Sequence, residues 1–283
     1  MAQPDNYEVR RHGRWTLRVR PEIWSDRLWA EIRDRISETA SNKHPRTLRL
    51  ESGYYLKIYS PPRGAARIKD AMRNSKAMRA LNQTDALSRL GFHAPPVVAA
   101  GEERVGGFLR SAFLLMREIE GRPLIQVLRE RFVPPLDRTQ IRQKRRWLGE
   151  LAGEVRRMHA NGFVHGDLVP SNVFVGLDGK DGAVFYLMDH DRTRRYPRGL
   201  PHLLWRRNLV QLNRIVLPGV SLQDRMRFAR VYLGKERWGK KERQLIRWLE
   251  RRTRRRRKEC ERIEAKVSFR ELMRWNGPFA KNL

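Results

Sequence analysis

Residues 164–175 read VHGDLVPSNVFV, and the proline in the middle decides what this segment can be. Pro170 has no backbone N–H and a locked φ, so no helix can carry both Asp167 and Asn172 through it undisturbed. Val169, just before it, is pushed toward extended geometry. The segment therefore reads as a rigid loop, closed by the β-formers Val173, Phe174 and Val175. It presents a carboxylate and a carboxamide five residues apart, directly in front of a strand.

The flanking sequence agrees with that reading. Residues 137–160 predict a long amphipathic helix with Asp137 as its cap and Ile141, Leu148, Leu151, Val155 and Met158 as its buried stripe. Asn161-Gly162 ends it. After the loop come a turn at GLDGKDG and the strand AVFYLM, which runs into DHDRTRR. From about residue 201 the chain is helical and basic. The first hundred residues differ: WTLRV, TLRL and YYLKIY are β-like, with Gly53 as the turn between the last two. Residues 67–90 predict one helix ending at Gly91, and two β-like stretches then flank Gly106-Gly107. The class is α+β, a small mixed lobe followed by a larger helical one.

The charge restricts the partners. The 283 residues carry 61 Lys and Arg against 31 Asp and Glu, a formal net charge of +30. Such a surface attracts polyanions: nucleic acid, anionic lipid head groups or a phosphorylated glycan. Residues 225–258 alone hold sixteen Lys and Arg against three Glu, including the run RRTRRRRK. A solvated helix face accounts for some of this, since Trp238, Ile246 and Trp248 suggest packing. The run after Glu250 repels itself unless an anion is near. A single cysteine, Cys260, excludes an intramolecular disulfide and suits a reducing compartment. The N-terminus lacks the apolar core of a secretory signal, and no segment approaches the roughly 20 apolar residues of a membrane span. A soluble or peripheral cytoplasmic protein is expected.

Phosphoryl transfer matches the order of polar residues. It needs a divalent metal on the triphosphate, a cation near the α/β-phosphates and a carboxylate that orients the attacking hydroxyl. Asp167 is the candidate carboxylate. Asn172 and Asp189 offer hard oxygens for Mg²⁺. Lys57, in the third β-like segment, offers the ammonium. The sequence strand lysine, H-x-D-x-x-x-x-N, strand ending in Asp is the order found in kinases. Asp191 is expected to pair with Arg192 rather than to share the metal. No G-x-G-x-x-G precedes Lys57, where the chain reads SNKHPRTLRLESG, and the following helix has Ala80 where a glutamate partner for Lys57 is expected. Asn82, Gln83 and Asp85 are the polar residues nearby.

HGDL-x-x-SN, followed by LMDHDRTRR and WRRNLVQLNR, resembles the lipopolysaccharide kinase family of bacterial sugar kinases, which act on Kdo or heptose of the inner core. The small-lobe stretches LKIYSPPRGAARIKDAMRNSKAMRALNQTDALSRLGF and PPVVAAGEERVGGFLRSAFLLMREIEG resemble the same family. The similarity covers residues 54–233. It implies a two-lobed protein kinase-like fold, with an N-lobe over residues 1–118 that binds the ATP phosphates and a C-lobe over residues 119–283.

By position, the resemblance implies Asp167 as the catalytic residue, Asn172 and Asp189 as metal ligands, and Lys57 as the phosphate-binding lysine. Glu118, Ile119 and Glu120 fall in the hinge, whose backbone holds adenine, and His165 braces the loop. The implied cofactors are ATP and Mg²⁺. The implied acceptor is a sugar hydroxyl of an anionic glycolipid, met at the cytoplasmic face of the inner membrane with the basic C-terminal region against the anionic surface. Two rivals remain: a small-molecule kinase of the same fold, and a non-catalytic kinase-like protein whose basic tail binds nucleic acid or an envelope partner. The net charge speaks against a cationic acceptor.

Overall fold

Apolar and polar residues alternate along the early strands, giving a sheet with two faces that can both be covered. The computed structural model describes residues 7–39, 46–61, 64, 66–71, 73–178, 182–197, 203–217 and 219–264. Strands β1 (Glu8–His12) and β2 (Trp15–Val19) form a hairpin, followed by α1 (Asp26–Thr39), β3 (Arg46–Arg49) and β4 (Tyr54–Tyr59). Helices α2 (Ala66–Ala71) and α3 (Lys76–Arg89) precede β5 (Val97–Val105) and β6 (Phe108–Arg117). All six strands join one antiparallel sheet in the order β1-β2-β5-β6-β4-β3.

Each face of the sheet has its own helix. Leu56 and Ile58 of β4 and Phe113 and Leu115 of β6 pack with Leu28, Trp29 and Ile32 of α1. Ala112 and Leu114 point the other way, where Tyr59 meets Ala77, Met78, Ala80 and Leu81 of α3. The two-residue period of a strand puts Lys57 on the Tyr59 side, toward α3. The β5–β6 turn is made by Gly106 and Gly107, at φ +56° and +81°. Two successive positive φ angles are what a tight right-twisted hairpin requires, and glycine takes them without strain.

The single helix expected over residues 67–90 is two helices. The residues Asn74-Ser75 break it: the Ser75 side chain accepts from the Met78 amide at 3.2 Å, and the Ser75 amide donates to Glu102 at 3.1 Å. A serine that satisfies a first-turn donor starts a helix rather than continuing one. The other end follows the sequence. Gly91, at φ +73°, donates to the Ser88 carbonyl at 2.9 Å, and the Phe92 amide reaches Leu87 at 3.1 Å.

The second half begins with β7 (Arg122–Pro123), α4 (Leu124–Arg131) and α5 (Arg138–Ala160). Asp137 and Gln140 close a reciprocal capping box at the start of α5. Ile141 is only half-buried, whereas Lys144 and Trp147 are buried. The Lys144 ammonium is satisfied by Asp224 at 2.8 Å and the Gly219 carbonyl at 2.6 Å, which is why a charge is tolerated there. Next come β8 (Phe163–Val164), β9 (Val173–Asp178), β10 (Gly182–Leu187) and β11 (Arg194–Arg195). They form the small sheets β10-β9-β7 and β11-β8. Helices α6 (Leu203–Leu212), α7 (Leu222–Leu233) and α8 (Lys240–Glu264) complete the described chain.

One large core unites this half. Leu151, Val155 and Met158 of α5 pack with Phe163, Leu168, Val173, Phe185 and Leu187, so the strands flanking the loop are fixed from behind. Leu87 and Phe92 from the end of α3 enter the same core. Arg157 of α5 ties down that end, donating to the carbonyls of Leu90 at 2.8 Å and Gly91 at 3.0 Å. Helix α8 lays Leu245, Ile246 and Leu249 over a mostly apolar cavity of about 570 Å³ that is shared with α4 to α7. Among the described residues, no helix is long and apolar enough to cross a membrane.

Candidate active site

The loop around Pro170 is held by its own polar groups. The Asp167 amide donates to His165 Nδ1 at 3.0 Å, so the proton sits on Nε2, which donates to the Met188 carbonyl at 2.8 Å. His165 is buried and neutral: burial lowers its pKa and outweighs the hydrogen bond to Met188. The Asn172 side-chain amide donates to the Asp167 carbonyl at 3.0 Å, leaving its Oδ1 without a protein partner among the described residues. The Met188 amide donates to the Asn172 carbonyl at 2.9 Å, extending the register in which Leu187 faces Val173. Asn172 and the end of β10 are thereby placed side by side.

Gly166 allows the loop to pass the turn at His190–Arg192, because a Cβ there would overlap the Arg192 backbone and Cβ. Burial, first, and the neighbouring His165 depress the His190 pKa to about 3. Its ring is spent on the Leu187 carbonyl at 2.8 Å and the Thr193 hydroxyl at 3.1 Å.

Asp189 closes the arrangement. It sits in the left-handed region at φ 64°, which a non-glycine residue adopts only where its surroundings impose it. Lys57 Nζ lies 2.6 Å from its Oδ1. Burial would raise the Asp189 carboxyl, but the Lys57 charge outweighs it and holds the pKa below the usual carboxylate range. The partner of Lys57 is thus the strand-end aspartate and not a residue of α3. There, Asn82 is engaged by Arg18 at 3.1 Å and Asp85 by Arg89 at 2.7 Å, while Gln83 Oε1 is buried without a partner.

Asp191 corrects a second expectation. It forms no ion pair with Arg192; the residue is largely buried, and its carboxylate has no hydrogen-bond partner among the described residues. Burial, and then the nearby Asp189 charge, raise its pKa. The 3-10 turn folds it back toward β4, where it also raises the pKa of the buried Tyr59 hydroxyl, behind burial itself.

The remaining expected residues lie where the halves join. Glu118, Ile119 and Glu120 connect β6 to β7. The Glu118 carboxylate is occupied by Arg49 at 2.9 Å and Tyr55 at 3.2 Å, so its side chain faces the sheet. Residues 41–45 of the segment before Lys57 fall outside the described residues.

Sequence reasoning missed two side chains of α6. Asn208 Oδ1 accepts from the His165 amide at 3.0 Å and from His159 Nε2 at 3.0 Å, and its amide donates to the His165 carbonyl. Gln211 Nε2 donates to Asp167 Oδ1 at 3.1 Å. Their i, i+3 spacing, in the quoted WRRNLVQLNR, puts both on one helix face, and that was the available signal. Gln211 thereby fixes the orientation of the Asp167 carboxylate. Gln211→Ala should lower kcat about tenfold and leave the KM for ATP unchanged, because one of Asp167's oxygens would lose its orientation. An equal change in both constants would mean that the loop itself had collapsed.

The sequence model described as the lipopolysaccharide kinase (Kdo/WaaP) family matches residues 29–232. The chain belongs to this family. The match spans both lobes, from α1 through α7, and contains Lys57, the loop and Asp189. Among solved structures, WaaP in complex with acyl carrier protein is similar at TM-score 0.53 and 24% identity, covering 76% of this chain and 86% of that one. The Rio2 kinase–ADP/Mg²⁺–phosphoaspartate complex from Chaetomium thermophilum is more distant, at TM-score 0.42 and 14% identity over 76% of this chain and 69% of the other. No curated protein sequence matches the chain. The fold is the two-lobed, α+β protein kinase-like fold, and the family is one of phosphotransferases.

Proposed function

We propose that this protein transfers the γ-phosphoryl group of ATP to a sugar hydroxyl, Kdo or heptose, in the inner core of lipopolysaccharide. The observation that carries this reading is the Lys57–Asp189 contact of 2.6 Å, which joins the small lobe's strand lysine to the strand end beside Asn172. With Asp167 held by Gln211, it brings a phosphate-binding cation, two hard oxygen donors and a base to one junction.

Asp189 and Asn172 Oδ1 would hold Mg²⁺. Among the described residues, no group of three or more His, Cys, Asp or Glu forms a cage, which suits an ion that takes its other ligands from phosphates and water. The ion supplies charge neutralisation on the phosphates. Lys57 binds the phosphates, and the backbone of residues 118–120 holds the adenine. Asp167 orients the acceptor hydroxyl and takes its proton as the oxygen bonds to the γ-phosphorus; the bond to the bridging oxygen breaks and ADP leaves.

The acceptor is an anionic glycolipid at the cytoplasmic face of the inner membrane. The basic C-terminal region supports this, each Lys or Arg near such a surface being worth about 1 kcal/mol. The test is phosphate transfer from labelled ATP with Mg²⁺ into a lipopolysaccharide extract whose core sugars lack phosphate. Label in the glycolipid is expected. Mg-dependent ATP binding without label would discard the acceptor, and neither result would leave a non-catalytic protein.

A further inference from the structure

The two strands that flank the site each carry an aromatic ring that no core uses. In β4, Leu56 and Ile58 are buried against α1 and Tyr59 against α3, whereas Tyr55 is only half-buried. In β9, Val173 and Val175 are buried in the core behind the loop, so Phe174 faces the other way, and it too is half-buried. Neither ring belongs to any of the three apolar clusters. Single half-exposed rings are common on proteins, so their position has to decide their meaning.

That position is the same in both lobes. Tyr55 lies two residues before Lys57 on the same face of β4, about 7 Å along the strand. The displacement runs toward the hinge, because Lys57 is paired with Leu114 of β6, Tyr55 with Met116 and Tyr54 with Arg117, where β6 ends. Phe174 lies two residues after Asn172 and is paired with Pro123 of β7, the strand that leaves the hinge. The lobes meet at the Lys57–Asp189 contact of 2.6 Å. One step from that contact toward residues 118–120, each lobe offers a ring.

The ring of the small lobe is also held in place. The Tyr55 hydroxyl donates to Glu118 Oε1 at 3.2 Å, and Arg49 holds Glu118 Oε2 at 2.9 Å. Arg49 is itself the cross-strand partner of Tyr55 in β3. Three elements thus fix one side chain, which removes rotamer freedom that a ligand would otherwise have to freeze.

We propose that Tyr55 and Phe174 are the roof and floor of the nucleotide site and stack on the two faces of the base, with Glu118 and Arg49 latching the roof. This rests on the kinase reading above and goes beyond it: the hinge backbone meets the edge of the base, and these rings hold its faces. Flat aromatic surfaces suit a purine, whose faces offer little else to bind.

Binding of ADP and of inorganic tripolyphosphate to the full chain, both with Mg²⁺, separates the base from the phosphates. Tyr55→Leu and Phe174→Leu should each bind ADP about tenfold more weakly than wild type, and tripolyphosphate within about a factor of two. Tyr55→Phe keeps the ring and loses only the latch, so it should recover most of the ADP affinity. A Tyr55→Phe protein as weak as Tyr55→Leu would overturn the stacking, since the hydroxyl alone would then matter. An equal loss of tripolyphosphate overturns it as well, because the cleft itself would have collapsed. ADP affinity unchanged in either leucine variant removes the sandwich and leaves the kinase reading intact. Wild type that binds neither ligand sinks the kinase reading, and the sandwich with it.

Discussion

Asp167→Asn is expected to lower kcat by about a thousandfold while leaving Mg-dependent ATP affinity within a factor of about two. The substitution is close to isosteric. The new carboxamide oxygen can still accept from Gln211, which now reaches Asp167 at 3.1 Å, and the bonds of the loop to His165 and Asn172 use only the backbone of residue 167. What is lost is the negative charge that, in the proposed reaction, takes the acceptor's proton. Lys57→Ala should behave in the opposite sense. In the proposed reaction it removes a cation from the phosphates, and it leaves Asp189 without its 2.6 Å partner, so nucleotide affinity should fall along with turnover. Both constants come from initial rates with ATP varied at fixed acceptor and from direct nucleotide binding. An Asp167→Asn protein that retains a tenth of wild-type kcat would remove Asp167 from the chemistry.

How much of this could be read in advance depended on sequence distance. The loop was legible because Pro170 and the β-formers after it restrict the backbone locally, and the α5 cap was legible because Asp137 and Gln140 satisfy each other within one turn. The break before α3 was written in Asn74-Ser75 but outweighed by helical periodicity on both sides. Strand β1 was missed for a different reason. Residues Glu8–His12 are mostly exposed at the edge of the sheet, so the usual alternation is absent, and the charges that hide the strand also guard that edge. The site's long-range contacts had no local trace. Lys57 meets Asp189 across 132 residues, and Asn208 reaches back 43 residues to His165. Only the tertiary fold brings them together. Asp191 beside Arg192 shows the converse: adjacency in sequence suggested a pair that the 3-10 turn separates.

Acidification should destabilise this protein before most of its carboxylates titrate. Burial holds His159 near a pKa of about 4 and His190 near about 3, and it lowers His165 as well. Each is neutral in the fold, with both ring nitrogens engaged: His159 by Tyr232 at 2.8 Å and Asn208 at 3.0 Å, the other two as described above. In the unfolded chain all three titrate near 6.5, so on acidification the unfolded state takes up protons first. Their stabilising contribution is complete above about pH 6.5 and is lost as pH falls toward the folded values. At pH 5, His159 and His190 together should have lost about 4 kcal/mol relative to neutral pH, and His165 adds to that loss. For a chain of this size the melting temperature should drop by about 10 °C. Protonation of His165 and His190 would also sever their bonds into the loop and the strand end, so activity should decline over the same window. The measurement is thermal melting between pH 7.5 and 5 on wild type and on His159→Gln, whose pH slope should be shallower by one proton. A variant as steep as wild type, or a flat wild-type profile, would show that these rings accept protons without unfolding the chain. With the variant as steep as wild type, the acid sensitivity would belong to the repulsion among 61 basic side chains instead.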